Sequence, residues 1–338
     1  MAEIVLKSFQ FRREREASWR ELEEILRKIE RRSARALSPQ ELMRLPTLYR
    51  AVLSSLSVAR SISLDQSLLS YLENLANRAY FQIYGPRTTL LRVVIDFVLR
   101  GFPVAVRTLR WHVALAAFLI ALGSVVGFRL YQADTDWYYT FMPDGLIEGR
   151  TPSATTDQLH NTLYRTIDAA EKGYLPALGS MLFIHNSGVG IASFALGIAL
   201  GVPTIWFMLS NGLLLGVFVA LYAGHGLGLD VGGWLIIHGS TEMTAVALCG
   251  GAGLALAEAL LFAERRNRLA ALAERGRIAG TVVLGAICML LVAGVLEGLG
   301  RQLIVDLGLR YLIGISMAAL WLLLFLRGGR RVIDDDDR

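Results

Sequence analysis

Two short stretches of the sequence place a histidine inside a long apolar run. Residues 182–187 read Leu-Phe-Ile-His-Asn-Ser, and residues 235–240 read Leu-Ile-Ile-His-Gly-Ser. His185 and His238 occupy the same position in the two stretches, and Glu242 follows four residues after the second histidine. A histidine within a membrane span has no water to bind and needs a polar partner in the protein. We therefore expect two related helices that present these groups at the same depth.

Other polar side chains also fall inside apolar runs. His238 and Glu242 are four residues apart, so on a helix they share a face and can touch. We predict that His185, His238 and Glu242 converge, with Asn211 just below them and Glu297 at the margin. The predicted polar cluster comprises His185, Asn186, Asn211, His238, Glu242 and Glu297.

Three kinds of site fit such a cluster. It could be a structural hydrogen-bonded knot, a path for protons or a substrate, or a metal site, because histidine and glutamate both bind divalent cations. The sequence contains no His-Glu-x-x-His motif, no Gly-x-Ser-x-Gly motif and no glycine-rich phosphate loop. We therefore expect no enzymatic activity and no cofactor, and the sequence leaves open whether a metal binds.

The elements that position these residues are predicted membrane spans. Of the 338 residues, 54% are apolar, and they concentrate in six runs. Each run approaches the about 20 residues that a helix needs to cross a bilayer. We predict an all-α polytopic bundle with spans at about 112–130, 177–200, 203–223, 233–262, 279–298 and 308–326.

The rest of the chain divides around these spans. We predict a cytoplasmic helical domain at 1–110, a transmembrane domain at 111–326 with an outer loop at 131–176, and an acidic tail at 327–338. Helical spacing predicts helices at 11–36 and 66–84. Between them, Ser38-Pro39-Gln40-Glu41 has the residue order of a helix start with a capping box.

Residues 88–100 have a different pattern. Arg92, Asp96 and Arg100 form one charged stripe on an otherwise apolar helix, which is typical of a helix lying at a membrane surface. A fourth helix of the N-terminal bundle is the alternative.

The arginines predict the orientation. They cluster before the first span, in the loop at 263–278 and after the last span, whereas the loop at 131–176 is acidic. Positive residues are retained in the cytoplasm. The bias for arginine over lysine is typical of GC-rich bacterial genomes. We therefore expect a multi-pass protein of the bacterial inner membrane with both termini cytoplasmic.

Small residues four positions apart recur in several spans. Such spacing lets helix backbones approach closely. It favours a compact bundle and a homodimer, although for any single pair packing within one chain is the preferred explanation. The pairs are Gly123 and Gly127, Gly197 and Gly201, Gly212 and Gly216, and Gly294 and Gly298.

The order of these features resembles the stage II sporulation protein M (SpoIIM) family of bacterial membrane proteins, over roughly residues 10–300. The matching pieces are Trp19 with Leu22-Glu23, Leu48-Tyr49-Arg50, Tyr71-Leu72, Arg78-Ala79, Ile83-Tyr84, His185-Asn186, Asn211-Gly212, His238-Gly239 with Glu242, and Glu297-Gly298. The resemblance implies an oligomeric multi-span protein of the inner membrane that scaffolds other proteins at the cell envelope.

Two functions from different classes are compatible with these features. The first is a non-enzymatic scaffold or assembly factor that recruits envelope or cytoplasmic proteins through residues 1–100 and the outer loop. The second is a transporter or channel-like permease whose path includes the polar cluster. The expected partners are the lipid bilayer, a second copy of the chain and other proteins, but no nucleic acid.

Overall fold

The computed structural model describes residues 2–32, 37–61, 66–84, 90–147, 149–164, 175–263 and 267–329. Within these ranges the chain forms helices and no strand, which confirms the all-α prediction. The chain divides into two compact units, Met1–Leu90 and Leu91–Arg338.

The first unit is a three-helix bundle. Its helices are α1 (Ala2–Arg32), α2 (Pro39–Ser61) and α3 (Gln66–Tyr84). Apolar side chains at helical spacing meet in one core around Trp19, whose indole nitrogen donates to Ser55 Oγ at 3.2 Å. The helix predicted at 11–36 begins earlier, at Ala2, and positions 33–36 lie outside the described residues.

The predicted capping box starts α2. The backbone N–H of Glu41 donates to Ser38 Oγ at 3.2 Å, and the backbone N–H of Ser38 donates to Glu41 Oε2 at 2.8 Å. Two N–H groups that would lack a partner at the helix start are thereby satisfied.

The boundary between the units lies at residue 90 rather than at 110. Helices α4 (Leu90–Asp96) and α5 (Phe102–Thr108) are joined by a π-helical turn at Phe97–Gly101. The aromatic ring of Phe102 packs on Phe325, with ring centroids 5.5 Å apart, so this segment belongs to the core of the second unit. The predicted interfacial helix at 88–100 corresponds to α4 and the π turn, and its place at a membrane surface stays a prediction.

The second unit continues with ten helices in chain order. They are α6 (Arg110–Ala133), α7 (Trp137–Phe141), α8 (Asp144–Ile147), α9 (Thr156–Tyr164), α10 (Leu175–Ala195), α11 (Val202–Gly224), α12 (Gly228–Leu261), α13 (Arg268–Val295), α14 (Arg301–Leu303) and α15 (Leu307–Arg327).

Among the described residues, six helices are long and apolar enough to span a membrane, which confirms the predicted number. Their bounds are Arg110–Ala133, Pro176–Ile198, Val202–Gly224, Gly228–Leu261, Arg268–Leu303 and Leu307–Arg327. The protein is thus a multi-pass membrane protein. The fifth span comprises α13, a π-helical turn at Leu296–Gly300, and α14.

Helix α12 is the centre of the bundle. It packs against each of the other five spans, and 72% of its most apolar stretch is buried, against 50% or less in the others. Every residue from Ala245 to Ala257 is buried.

Glycines make the closest helix contacts within this one chain. A Cβ added at Gly123 or Gly127 of α6 would overlap backbone carbonyl oxygens of α11, and one added at Gly212 or Gly216 of α11 would overlap those of α6. Gly197 meets the backbone of Gly253 on α12 in the same way. These glycines therefore pack helices of one chain against each other, and their spacing is no evidence for a homodimer interface.

Residues 134–164 fold onto the end of the bundle where α12 begins. Tyr138 and Leu159 are fully buried there against α11. Tyr164 donates to Asp230 Oδ1 at 2.6 Å, and burial together with this hydrogen bond raises the pKa of Tyr164 to about 12. Within the predicted outer loop the structure describes a helix at Thr156–Tyr164, and positions 165–174 lie outside the described residues.

One buried arginine holds this loop to the last span. Arg310 is 1% exposed, and its guanidinium donates to the carbonyls of Ile304 at 2.8 Å and Leu163 at 3.3 Å. Its buried position is not predicted from the sequence, because Arg310 stands at the start of an apolar run.

Candidate functional site: a buried histidine–glutamate cluster

His238, Glu242 and Glu297 converge inside the second unit. One ligand-capable atom from each lies within 4.8 Å of the other two. His238 and Glu242 are one turn apart on α12, as the four-residue spacing predicts. Glu297, the third member, lies at the centre of the group rather than at its margin. Its Oε1 is 3.8 Å from His238 Nε2.

A π-helical turn positions Glu297. Residues Leu296–Gly300 leave the α-helical repeat near the end of the fifth span, and Glu297 is 8% exposed. A π turn inserts one residue into the helical repeat and rotates the residues after it, a distortion frequent at functional sites. The prediction that Glu297 lies at the margin of the cluster is wrong, because its carboxylate contacts Arg301 and faces His238.

Arg301 and Trp234 complete the surroundings. Arg301 Nη1 donates to Glu297 Oε1 at 3.2 Å, and its guanidinium carbon lies 4.4 Å from the centroid of the Trp234 ring. That ring packs edge-on against His238, with centroids 5.8 Å apart. Neither residue belongs to the predicted cluster. Trp234 lies four positions before His238, and Arg301 lies four positions after Glu297. This spacing is a sequence signal that the paired residues share a helix face.

The histidine is buried without full hydrogen bonding. His238 is 4% exposed, and its Nδ1 has no hydrogen-bond partner among the described residues. Its Nε2 faces Glu297 across 3.8 Å, which is beyond hydrogen-bond length. Buried polar atoms in native proteins are usually satisfied, so this histidine is an exception that needs a reason.

Helix α10 contributes Asn186 rather than His185. Asn186 is 7% exposed, and its side-chain amide lies within electrostatic range of the Glu297 carboxylate. His185 is within electrostatic range of Glu297 but lies on the exposed face of α10, beside Ile184. The expectation that both repeat histidines point into one interior is therefore wrong, because successive residues of a helix point about 100° apart and α10 turns Asn186 inward.

Asn211 is satisfied within its own helix. Its side-chain amide donates to the Phe207 carbonyl of α11 at 2.7 Å, one turn earlier. The described contacts of Asn211 are thus local to α11, and its predicted place just below the cluster stays a prediction.

The two helices that carry the repeat are parallel but staggered. Gly190, Gly197 and Gly201 of α10 and the adjoining turn face Cys249, Gly253 and Ala257 of α12, in increasing order along both. These pairs are 59, 56 and 56 positions apart, whereas the two histidines are 53 apart. His185 therefore lies level with the residues just beyond His238 rather than beside it.

A second polar group ties together the other end of the bundle. Glu258 Oε2 lies 3.0 Å from His112 Nε2 and accepts a hydrogen bond from Arg275 at 3.3 Å. These side chains come from α12, α6 and α13 and form a half-exposed ion-pair network. Glu258 is thus paired near the end of its span.

Chemically, the cluster offers one imidazole and two carboxylates beside one guanidinium. Two ionised carboxylates so close together repel each other, and Arg301 offsets only one negative charge. The arrangement suits a shared proton or a bound cation.

Comparisons with known proteins divide the chain as the structure does. The family model described as stage II sporulation protein M matches residues 111–300, and a domain of unknown function (DUF8413) matches residues 9–85. The resemblance inferred over residues 10–300 is therefore confirmed for the membrane unit, while the first unit matches a different domain. No curated protein and no solved structure matches the chain. Since the matched region covers more than half of the chain and holds nearly all of the first four spans, most of the fifth, and His238, Glu242 and Glu297, the chain belongs to the stage II sporulation protein M (SpoIIM) family.

Proposed function

We propose that this protein is a non-enzymatic scaffold that assembles partner proteins at the bacterial inner membrane. The observation that supports this most is the closed packing of α12. Beyond Glu242 the helix is buried without interruption from Ala245 to Ala257. A permease path would need polar groups or space across this stretch, and apolar side chains fill it instead.

Glycine contacts close this stretch from three sides. A Cβ added at Gly250 would overlap Met208 of α11, and one added at Gly251 would lie 2.7 Å from Val113 of α6. At Gly253 it would lie 2.7 Å from the Ser193 carbonyl of α10. Backbone contacts of this kind make a rigid bundle, which suits a platform for other proteins.

Two surfaces outside the spans suit protein partners. On the first unit, Tyr80, Phe81 and Tyr84 are 49%, 68% and 63% exposed and contact one another or Tyr49 through their rings. Clustered exposed aromatic side chains are typical of binding surfaces. On the second unit, residues 134–164 form a folded cap whose apolar core is shared with α11 and the start of α12.

The proposed orientation places these surfaces on opposite sides of the membrane. Six crossings leave both termini on one side, together with Arg107 before α6, Arg110 at its start, and Arg275 and Arg277 in α13. Positive residues near span ends favour the cytoplasm. The first unit would then meet cytoplasmic partners and the cap would meet envelope partners. A homodimer is proposed from the family resemblance alone, and native mass spectrometry in mild detergent tests it.

One observation favours the alternative of a proton- or substrate-conducting permease. His238 is buried and incompletely hydrogen-bonded, and Glu242 is partly exposed, so the cluster is not a closed structural knot. Purified protein in liposomes that carry a pH-sensitive dye separates the two functions. A scaffold predicts the same proton leak as in empty liposomes. A protein-dependent leak that Glu242→Gln removes, while Glu258→Gln preserves it, would overturn the scaffold proposal.

A further inference from the structure

We propose that His238, Glu242 and Glu297 form a binding site for one divalent first-row metal ion of the Zn²⁺ or Mn²⁺ class. The proposal is independent of the scaffold function, since a metal at this place could hold the spans together in either kind of protein.

The ligand atoms are separated by distances that suit a shared ion. The 3.8 Å between His238 Nε2 and Glu297 Oε1 is too long for a hydrogen bond. Two ligands bound tetrahedrally at zinc distances are roughly 3.4 Å apart. The third group supplies its atom within 4.8 Å of both, so small side-chain rotations bring all three to one ion.

The state of the histidine also points to a missing partner. His238 is 4% exposed, its Nδ1 has no hydrogen-bond partner among the described residues, and its Nε2 lies 3.8 Å from Glu297 Oε1. Burying an imidazole nitrogen without a polar partner is unfavourable. A cation bound at Nε2 gives that nitrogen a partner. A water molecule could do the same, so the donor set has to decide between them.

The donor set favours a metal of intermediate character. An imidazole nitrogen suits zinc and later first-row ions, while carboxylates suit manganese, magnesium and calcium. A site with one imidazole and two carboxylates therefore selects Zn²⁺ or Mn²⁺ over Mg²⁺, which prefers oxygen ligands and retains its water. Three protein ligands leave positions for water or for a partner's side chain.

The neighbours support this arrangement. Arg301 donates to Glu297 Oε1 at 3.2 Å and holds this carboxylate in place, with the Asn186 amide nearby. Ordered contacts to a ligating carboxylate are a usual feature of metal sites. Two carboxylates with one arginine leave one net negative charge for a cation to offset.

The test uses the full chain, purified in detergent without a histidine tag and stripped with a chelator. After equilibration with Zn²⁺, Mn²⁺ or Mg²⁺ alone, bound metal is counted by mass spectrometry and affinity is measured by calorimetry. We expect one Zn²⁺ or Mn²⁺ per chain and weak Mg²⁺ binding. Glu242→Gln should weaken Zn²⁺ binding by on the order of tenfold or more, while Glu258→Gln, a glutamate of the same helix outside the site, should leave it unchanged.

Absorption of Co²⁺ bound in place of Zn²⁺ gives a second readout that reports histidine ligation. We expect its visible bands in the wild type and in Glu258→Gln but not in His238→Ala, with all three eluting as folded protein in size-exclusion chromatography. A wild type that binds no metal stoichiometrically would overturn the proposal. Binding that Glu242→Gln leaves unchanged would overturn it too. Neither result bears on whether the protein recruits partners.

Discussion

Glu297 Oε1 faces His238 Nε2 across 3.8 Å, between the π turn that ends α13 and the central helix α12. The same oxygen accepts a hydrogen bond from Arg301 at 3.2 Å. One carboxylate thus connects the fifth span to the fourth, and Asn186 adds the second span to the same point. The cluster is therefore the junction of three spans as well as a candidate ligand site.

Removing this carboxylate should destabilise the membrane unit. In Glu297→Ala, Arg301 loses one acceptor at a site where its side chain is only 14% exposed, and Asn186 loses a polar neighbour. Stranding buried polar groups costs about 1–3 kcal/mol. Thermal unfolding in detergent should show a lower midpoint. Glu258→Ala, which breaks a half-exposed pair, should lower it less. Equal midpoints for Glu297→Ala and the wild type would show that the junction contributes nothing to stability.

A methyl group added to a glycine at the contact between α6 and α11 should destabilise the protein. In Gly216→Ala the new Cβ would overlap the Ser124 carbonyl oxygen, and backbone atoms cannot rotate away. Overpacking of this kind costs about 1–3 kcal/mol. Gly188→Ala is the matched control, because open space surrounds that position of α10 and alanine favours a helix. We expect a lower unfolding midpoint for the first variant and an equal or higher one for the second. The reverse order would refute the packing described for this contact.

The start of α2 should lose stability in acid. The hydrogen bond from Lys28, with those from Ser38, lowers the pKa of Glu41 to about 2 from an ordinary value of 4.5. A lowered pKa means that the stabilisation is complete above pH 4.5 and is lost as the pH falls toward 2. Hydrogen exchange of peptides from residues 39–61, corrected for intrinsic rates, should therefore accelerate in that window.

The Glu41→Gln variant should flatten this dependence, because glutamine can still cap the helix but cannot titrate. Glu73→Gln removes a different exposed ion pair, with Arg60, from the same unit and should leave the dependence intact. An unchanged profile in Glu41→Gln would rule out this carboxylate as the cause.

The proposed orientation makes a labelling prediction. In a Cys288→Ser background, a cysteine at Ser153 should react with a membrane-impermeant maleimide added to intact cells. A cysteine at Ala271 should react only after the membrane is opened. The buried Cys249 should stay unreactive in both cases. Labelling of position 271 from outside would contradict the cytoplasmic placement of both termini.

Much of this architecture can be predicted from local sequence signals. Run length predicts the six spans, the Ser38 and Glu41 pair predicts the start of α2, and a four-residue spacing predicts that His238 and Glu242 share a face. Each of these signals is contained in one segment and needs no tertiary contact.

The remaining features depend on helix rotation and backbone distortion. Helix α10 is apolar on most sides, so its composition does not reveal that Asn186 faces inward and His185 outward. The π turn that centres Glu297 has no recognisable sequence signature. Arg310 is stabilised by carbonyls of Leu163 and Ile304, and only the folded chain brings these together.

Site-specific photo-cross-linking in living cells tests the scaffold function most directly. A photoreactive amino acid is placed at Phe81 in the exposed aromatic group, at Tyr139 on the cap, and at the exposed Glu24 of α1 as a control. The scaffold function predicts discrete protein adducts at 81 and 139 that are absent at 24. Each adduct should be a distinct polypeptide, one on each side of the membrane. If positions 81 and 139 give no protein adduct beyond that seen at 24, while the protein is folded in the membrane, the scaffold function is contradicted.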